Sequence, residues 1–111
     1  MSDSVTRSTT SDQFEVHVDE KSVGRLQFVD HDPGNGEPVQ RVLFHTEVDE
    51  AYGGRGLAGK LVGEALDATR AEGLQAVAVC AYVKKFVSSR PEYDDLVVPA
   101  TPEALAAVPG R

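Results

Sequence analysis

The sequence predicts an α+β fold, an antiparallel meander followed by β-α-β-α. Three stretches within the first 48 residues alternate apolar and polar side chains, the period of half-buried strands. A glycine cluster then introduces a run whose apolar residues recur every three to four positions, which is helical. A short apolar segment after Gly73 supplies a further strand. Residues 40–80 are thus strand, helix and strand, long enough for a right-handed parallel crossover.

Each element has its own signal. Residues 1–11, rich in Ser, Thr and Asp, predict a disordered tail. Phe14, Val16 and Val18 alternate with Glu15 and His17, giving a strand over 13–18. After a polar turn at 19–22, Gly24, Leu26 and Phe28 alternate with Arg25 and Gln27. Residues 30–38 carry loop chemistry throughout. A third strand spans 40–48, with Val42, Phe44, Thr46 and Val48 on one side and Leu43, His45 and Glu47 on the other. Leu57, Leu61, Val62, Ala65, Leu66 and Thr69 then form one face of a helix that stops at Gly73. Residues 74–80 suit a buried strand, and a second helix runs from 82 to about 90, before Pro91. Thr101-Pro102-Glu103-Ala104 reads as a capped start of a short helix. The domain is expected over 12–98, with 99–111 as a C-terminal extension.

Composition narrows the function classes. The 111 residues carry 11 Lys+Arg and 18 Asp+Glu, a net charge of −7, which argues against general nucleic-acid binding. A chain of this size folds as one domain without disulfide or metal. The single cysteine, Cys80, excludes an internal disulfide and fits a reducing cytoplasm. No apolar run approaches the roughly 20 residues of a membrane span, and no signal-peptide pattern opens the chain. A soluble cytoplasmic protein without nucleic-acid or membrane partners is expected. His17, His31 and Cys80 show no metal-ligand spacing, so no metal is expected.

The charge is uneven. Residues 1–54 and 91–111 are acidic, at −7 and −3, while 55–90 is +3 through Arg55, Lys60, Arg70, Lys84, Lys85 and Arg90. That positive stretch begins inside Gly53-Gly54-Arg55-Gly56-Leu57-Ala58-Gly59-Lys60, between strand and helix. Glycines permit positive φ, successive amides converge there, and the helix start adds the positive end of its dipole. Such a loop either cradles a phosphate or simply lets the helix pack closely. It lacks the GK[ST] of a Walker-A loop, and no Rossmann half follows it.

At this point the chain resembles the GNAT superfamily of N-acetyltransferases, which bind acetyl-CoA. The family loop [RQ]-x-x-G-x-[GA] is met by Gly53-Gly54-Arg55-Gly56-Leu57-Ala58 from its fourth position on, with Gly53 where Arg or Gln is usual. The likeness is to a compact branch of the family. It is carried also by His45-Thr46-Glu47-Val48, Leu61-Val62, Cys80-Ala81-Tyr82-Val83 and Pro91-Glu92-Tyr93, running on into Asp95-Leu96-Val97. The resemblance implies a splayed mixed sheet and acetyl transfer from CoA to an amine. Glu47-Val48 would offer backbone groups to the pantetheine arm, and the amides of 53–58 (Gly53, Gly54, Arg55, Gly56, Leu57, Ala58) would hold the pyrophosphate. Lys84 or Lys85 would reach the 3′-phosphate, or is ordinary solvated helix charge.

The chemistry needs an unprotonated amine, a polarised thioester and a proton for the departing thiolate. The tyrosine that many family members place about seven residues into the helix after the last strand falls at Val87, and neither Tyr82 nor Tyr93 matches it. Cys80, at a strand end before a helix, is either an acetyl-accepting nucleophile or a small buried hydrophobe. His45 and Glu47, two apart on one strand face, are the candidate bases, or ordinary sheet-surface residues. The acidic remainder favours a cationic acceptor: a lysine side chain, basic peptide or polyamine. Two alternatives stand beside the enzyme: a catalytically weak CoA- or acyl-CoA-binding module that senses cofactor or modulates a partner, and a plain interaction domain.

Overall fold

The computed structural model describes residues 3–8 and 11–110 of the 111. Five strands form one sheet in chain order: β1 (Asp3–Arg7), β2 (Gln13–Val18), β3 (Lys21–His31), β4 (Gln40–Val48) and β5 (Gln75–Ala78). The first three pairings are antiparallel, and β4 pairs with β5 in parallel through the crossover helix α1 (Leu57–Ala71). Two further helices follow, α2 (Ala81–Ser88) and α3 (Pro102–Ala106). The meander and the β-α-β-α order are as the periodicities predict.

Helix α1 buries Leu57, Leu61, Val62, Ala65, Leu66 and Thr69, the six positions its apolar stripe marks out. The five apolar ones pack with Phe14, Val16, Leu26, Phe28 and Leu43 into the main core. Gly73, at φ +75°, ends the helix in the left-handed region. A smaller cluster lies on the other side of the sheet, where Val42 and Val77 meet Ala104 and Val108. The C-terminal extension is therefore packed structure, and Thr101 Oγ1 caps α3 by accepting from the Ala104 amide at 3.1 Å.

Two expectations are corrected. Residues 3–7 are not a disordered tail but the edge strand β1; residues 1, 2, 9 and 10 of that segment lie outside the described residues. The strand is held by partners distant in sequence. Lys60 Nζ meets Asp3 at 3.1 Å, Arg7 meets Glu72 at 2.8 Å, and Thr6 Oγ1 lies 3.0 Å from His17 Nε2. The simple alternation along β4 is also broken. Gln27 pairs with His45 but Phe28 pairs with Leu43, leaving Phe44 as an extra residue. Leu43 enters the main core and Phe44 joins the smaller cluster; beyond the slip, Val48 returns to the main-core side.

A charged network closes the end of the sheet away from the glycines. Arg41 is only 1% exposed, yet it bonds Asp30 and Glu72 and lies 4.5 Å over the Phe28 ring. Burial opposes its charge, but the hydrogen bonds it donates to Asp30 and Glu72 prevail and hold its pKa above the usual arginine value. The Arg41 hydrogen bond, backed by Arg7, lowers the Glu72 pKa to about 2.

Candidate functional site

The glycine loop is built from both ends. The Asp49 side chain accepts from the Ala51 amide at 3.1 Å and starts a short 3₁₀ turn, Glu50–Tyr52. Gly54 and Gly56 then take φ +78° and +73°, conformations costly for other residues. Gly56 is the N-cap of α1 and has no side chain with which to cap it. The first helical bond runs from the Lys60 amide to Gly56 O at 3.1 Å, so the amides of Leu57, Ala58 and Gly59 have no acceptor within the helix. These donors open beside a cavity of about 240 Å³ lined by Val48, Tyr52, Gly53, Gly54, Gly56, Leu57, Ala58 and Tyr82. A Cβ added at Gly54 or Gly56 would meet nothing within 4 Å. The Arg55 guanidinium lies 5.0 Å from the Tyr52 ring centre, and Lys21 lies 5.8 Å from it.

The sheet opens next to this loop. The amides of Val79 and Cys80 both donate to Leu43 O, at 2.9 and 3.0 Å, and the β4–β5 ladder ends there. Residues 45–48 of β4 pair with β3 alone. Cys80 caps α2 at this divergence, half-buried, and its Sγ–H donates to Thr46 Oγ1 at 3.4 Å. The contact brings Cys80 to β4, though not to the face that carries His45 and Glu47.

On that other face, half-exposed, His45 Nε2 lies 3.2 Å from Glu47 Oε2. A carboxylate only accepts, so Nε2 carries the hydrogen and Nδ1 is the basic atom of the neutral ring. Arg25, directly opposite Glu47 on β3, holds its other oxygen at 2.7 Å. The His45 hydrogen bond, followed by the charge of Arg25, lowers the Glu47 pKa. That direction weakens Glu47 as a proton acceptor.

The remaining candidates separate clearly. Tyr93 is buried and its hydroxyl donates to Asp67 at 2.9 Å; burial and then Asp67 raise its pKa. Tyr82, 42% exposed, lines the glycine cavity. Val87 is half-buried against the main core. Lys84 lines a different cavity, with Ala78, Val87, Tyr93 and Asp94, whereas Lys85 is exposed one turn beyond Tyr82. Lys60 and Arg70 of the cationic stretch are paired with Asp3 and Asp95. Thr46 and the two tyrosine walls of the cavity, Tyr52 and Tyr82, were not singled out as site residues by sequence pattern. Their signal was proximity in sequence to the loop and to Cys80. Among the described residues, no His, Cys, Asp or Glu group is placed to hold a metal, and no helix is long and apolar enough to cross a membrane.

The pattern of the GCN5-related N-acetyl-transferase family matches residues 13–96, from the start of β2 to the segment after α2. The chain belongs to that family. Among curated proteins, NATD1 of Bos taurus is 49% identical over 49 residues, which cover 44% of this chain and 43% of NATD1. NATD1 of Homo sapiens is 47% identical over 49 residues, with the same shares. The match thus spans less than half the length of these relatives. A GCN5-like putative N-acetyltransferase from Staphylococcus aureus superposes with a TM-score of 0.62 at 17% identity, covering 89% of this chain and 91% of its own. A ribosomal-protein-alanine N-acetyltransferase from Brucella melitensis gives a TM-score of 0.60 at 19% identity, over 85% and 66% of the two chains. These likenesses show the fold. The five-stranded mixed sheet that opens beside a helix start is this family's architecture in a small single domain.

Proposed function

We propose that the chain transfers an acetyl group from acetyl-CoA to an amine. One observation carries the reading: α1 begins, uncapped, on left-handed glycines at the mouth of a cavity beside the point where β4 and β5 part. The unpaired amides at the start of α1, the helix dipole and Arg55 suit a diphosphate at residues 53–58, although the Gly53 amide itself donates to Glu50 O at 3.1 Å. The edge of β4 at Glu47 and Val48, left unpaired by β5, offers backbone groups to the pantetheine arm. Lys85, on the Tyr82 side of α2, is better sited than Lys84 for the 3′-phosphate.

The acceptor amine enters from the face that carries His45. His45 Nδ1 takes its proton, directly or through water, while Glu47 and Arg25 fix the ring. The amine nitrogen bonds to the carbonyl carbon, the carbon–sulfur bond breaks, and the CoA thiolate leaves. Cys80, at the end of β5, supports a second route. Its thiol passes its proton to the departing CoA sulfur as it takes the acetyl group as a new thioester, and then yields that group to the amine, whose proton restores the thiol. The acidic surface favours a cationic acceptor, such as a lysine side chain, a basic peptide or a polyamine. The lone cysteine suits a reducing compartment such as the cytoplasm.

A second reading, a catalytically weak CoA- or acyl-CoA-binding module, is favoured by Val87, packed where many relatives carry their acid tyrosine. The test combines calorimetry of acetyl-CoA binding with thiol release in the presence of lysine peptides and polyamines. Binding with amine-dependent thiol release supports the enzyme, binding without release the module, and no binding at millimolar donor neither.

A further inference from the structure

Tyr82 is the one large apolar side chain exposed among the described residues, at 42%. It stands two residues past Cys80, in the first turn of α2, and is the only member of that helix lining the glycine cavity. A Cβ placed on Gly59 would lie 3.7 Å from the Tyr82 hydroxyl and 3.8 Å from the Phe86 ring. One placed on Gly63 would lie 3.6 Å from Phe86. The aromatic side of α2 thus lies against the face of α1 that carries Gly59 and Gly63, one turn apart. The Tyr82 hydroxyl is thereby held over the first turn of α1, where the amides of Leu57, Ala58 and Gly59 have no helical acceptor. Tyr93 contrasts with it, since its hydroxyl is committed to Asp67 at 2.9 Å. A tyrosine that lines the same cavity as Leu57 and Ala58, whose amides are free, can give its own hydrogen to whatever anion those donors hold.

We infer that Tyr82 is a donor-binding residue whose hydroxyl donates to the diphosphate of CoA, closing the cradle from the α2 side. The inference rests on the donor reading above and adds a hydroxyl from α2 to the backbone amides and Arg55 at the start of α1.

Tyr82→Phe keeps the ring and removes only the hydroxyl, at an exposed position that leaves folding intact; melting temperature checks this. Affinity is measured by calorimetry for CoA and for its nucleotide half, adenosine 3′-phosphate 5′-diphosphate, which has the diphosphate but no pantetheine arm. A hydrogen bond to a charged group predicts that both ligands weaken about tenfold, by a common factor. Loss for CoA alone would place the hydroxyl on the pantetheine arm and overturn the inference. Unchanged affinity for both would overturn it as well. Wild-type protein that binds neither ligand overturns the donor reading itself, a result distinct from the other two.

Discussion

Gly54 and Gly56 hold the loop at φ +78° and +73°, with open space where a Cβ would stand, so alanine at either tests the conformation rather than a clash. A non-glycine residue in the left-handed region costs about 1–2 kcal/mol. The variant has two ways to meet that cost. If the loop keeps its shape, the folded state loses the full amount. Entropy of unfolding near 2.1 cal/mol/K per residue over 111 residues converts each kcal/mol to about 4 °C, so the melting temperature falls by about 4–8 °C. If the loop instead relaxes to negative φ, stability is spared but the cradle must be re-formed on binding. Affinity for CoA then falls by the same free energy, about five- to thirtyfold. Thermal denaturation and calorimetry on Gly54→Ala, Gly56→Ala and the double variant measure both quantities. Their losses should sum to about 1–2 kcal/mol per site. A variant with wild-type melting temperature and wild-type CoA affinity would show that neither positive φ nor the loop shape matters.

Other predictions concern single groups. Glu72→Gln removes one of the two carboxylates on buried Arg41 and should lower the melting temperature at pH 7 by about 4–8 °C; partial exposure of Glu72 and the surviving Asp30 pair limit the loss. Because its folded pKa is about 2, against an ordinary 4.5, Glu72 contributes fully above pH 4.5. The contribution is lost as pH falls from 4.5 to 2, so melting temperature in Glu72→Gln should decline less steeply over that window. His45→Gln should lower kcat about a hundredfold with CoA affinity unchanged; wild-type turnover would exclude His45 as the base. Intact mass after exposure to acetyl-CoA should show one added acetyl group, absent in Cys80→Ala. A Cys80→Ala enzyme with wild-type turnover would remove Cys80 from the route.

Local patterns in the sequence carried much of the fold. The six buried positions of α1, the bounds of β4 and the Thr101 cap are set by near neighbours in the chain, so period and capping chemistry reveal them. Strand β1 was hidden because its own composition is polar and its partners, Lys60, Glu72 and His17, are remote in sequence. Arg41 was hidden because arginine is normally exposed, and only folding brings Asp30 and Glu72 to it. The extra residue at Phe44 decides which side chains of β4 share a face, and no period reports a register slip. The same limit applied at the site. The glycine loop, Cys80 and the His45–Glu47 pair were legible, whereas Thr46 as the partner of Cys80 and Lys84 as the residue turned away were not.

The central claim is that an anion of the donor sits on the amides at the start of α1. The most direct measurement is a titration of ¹⁵N-labelled chain with CoA, followed amide by amide. The largest shifts are expected on residues 53–59, with further changes at Val48, Cys80 and Tyr82. An unperturbed loop at millimolar CoA would contradict it, as would shifts confined to the cavity around Tyr93 and Val97.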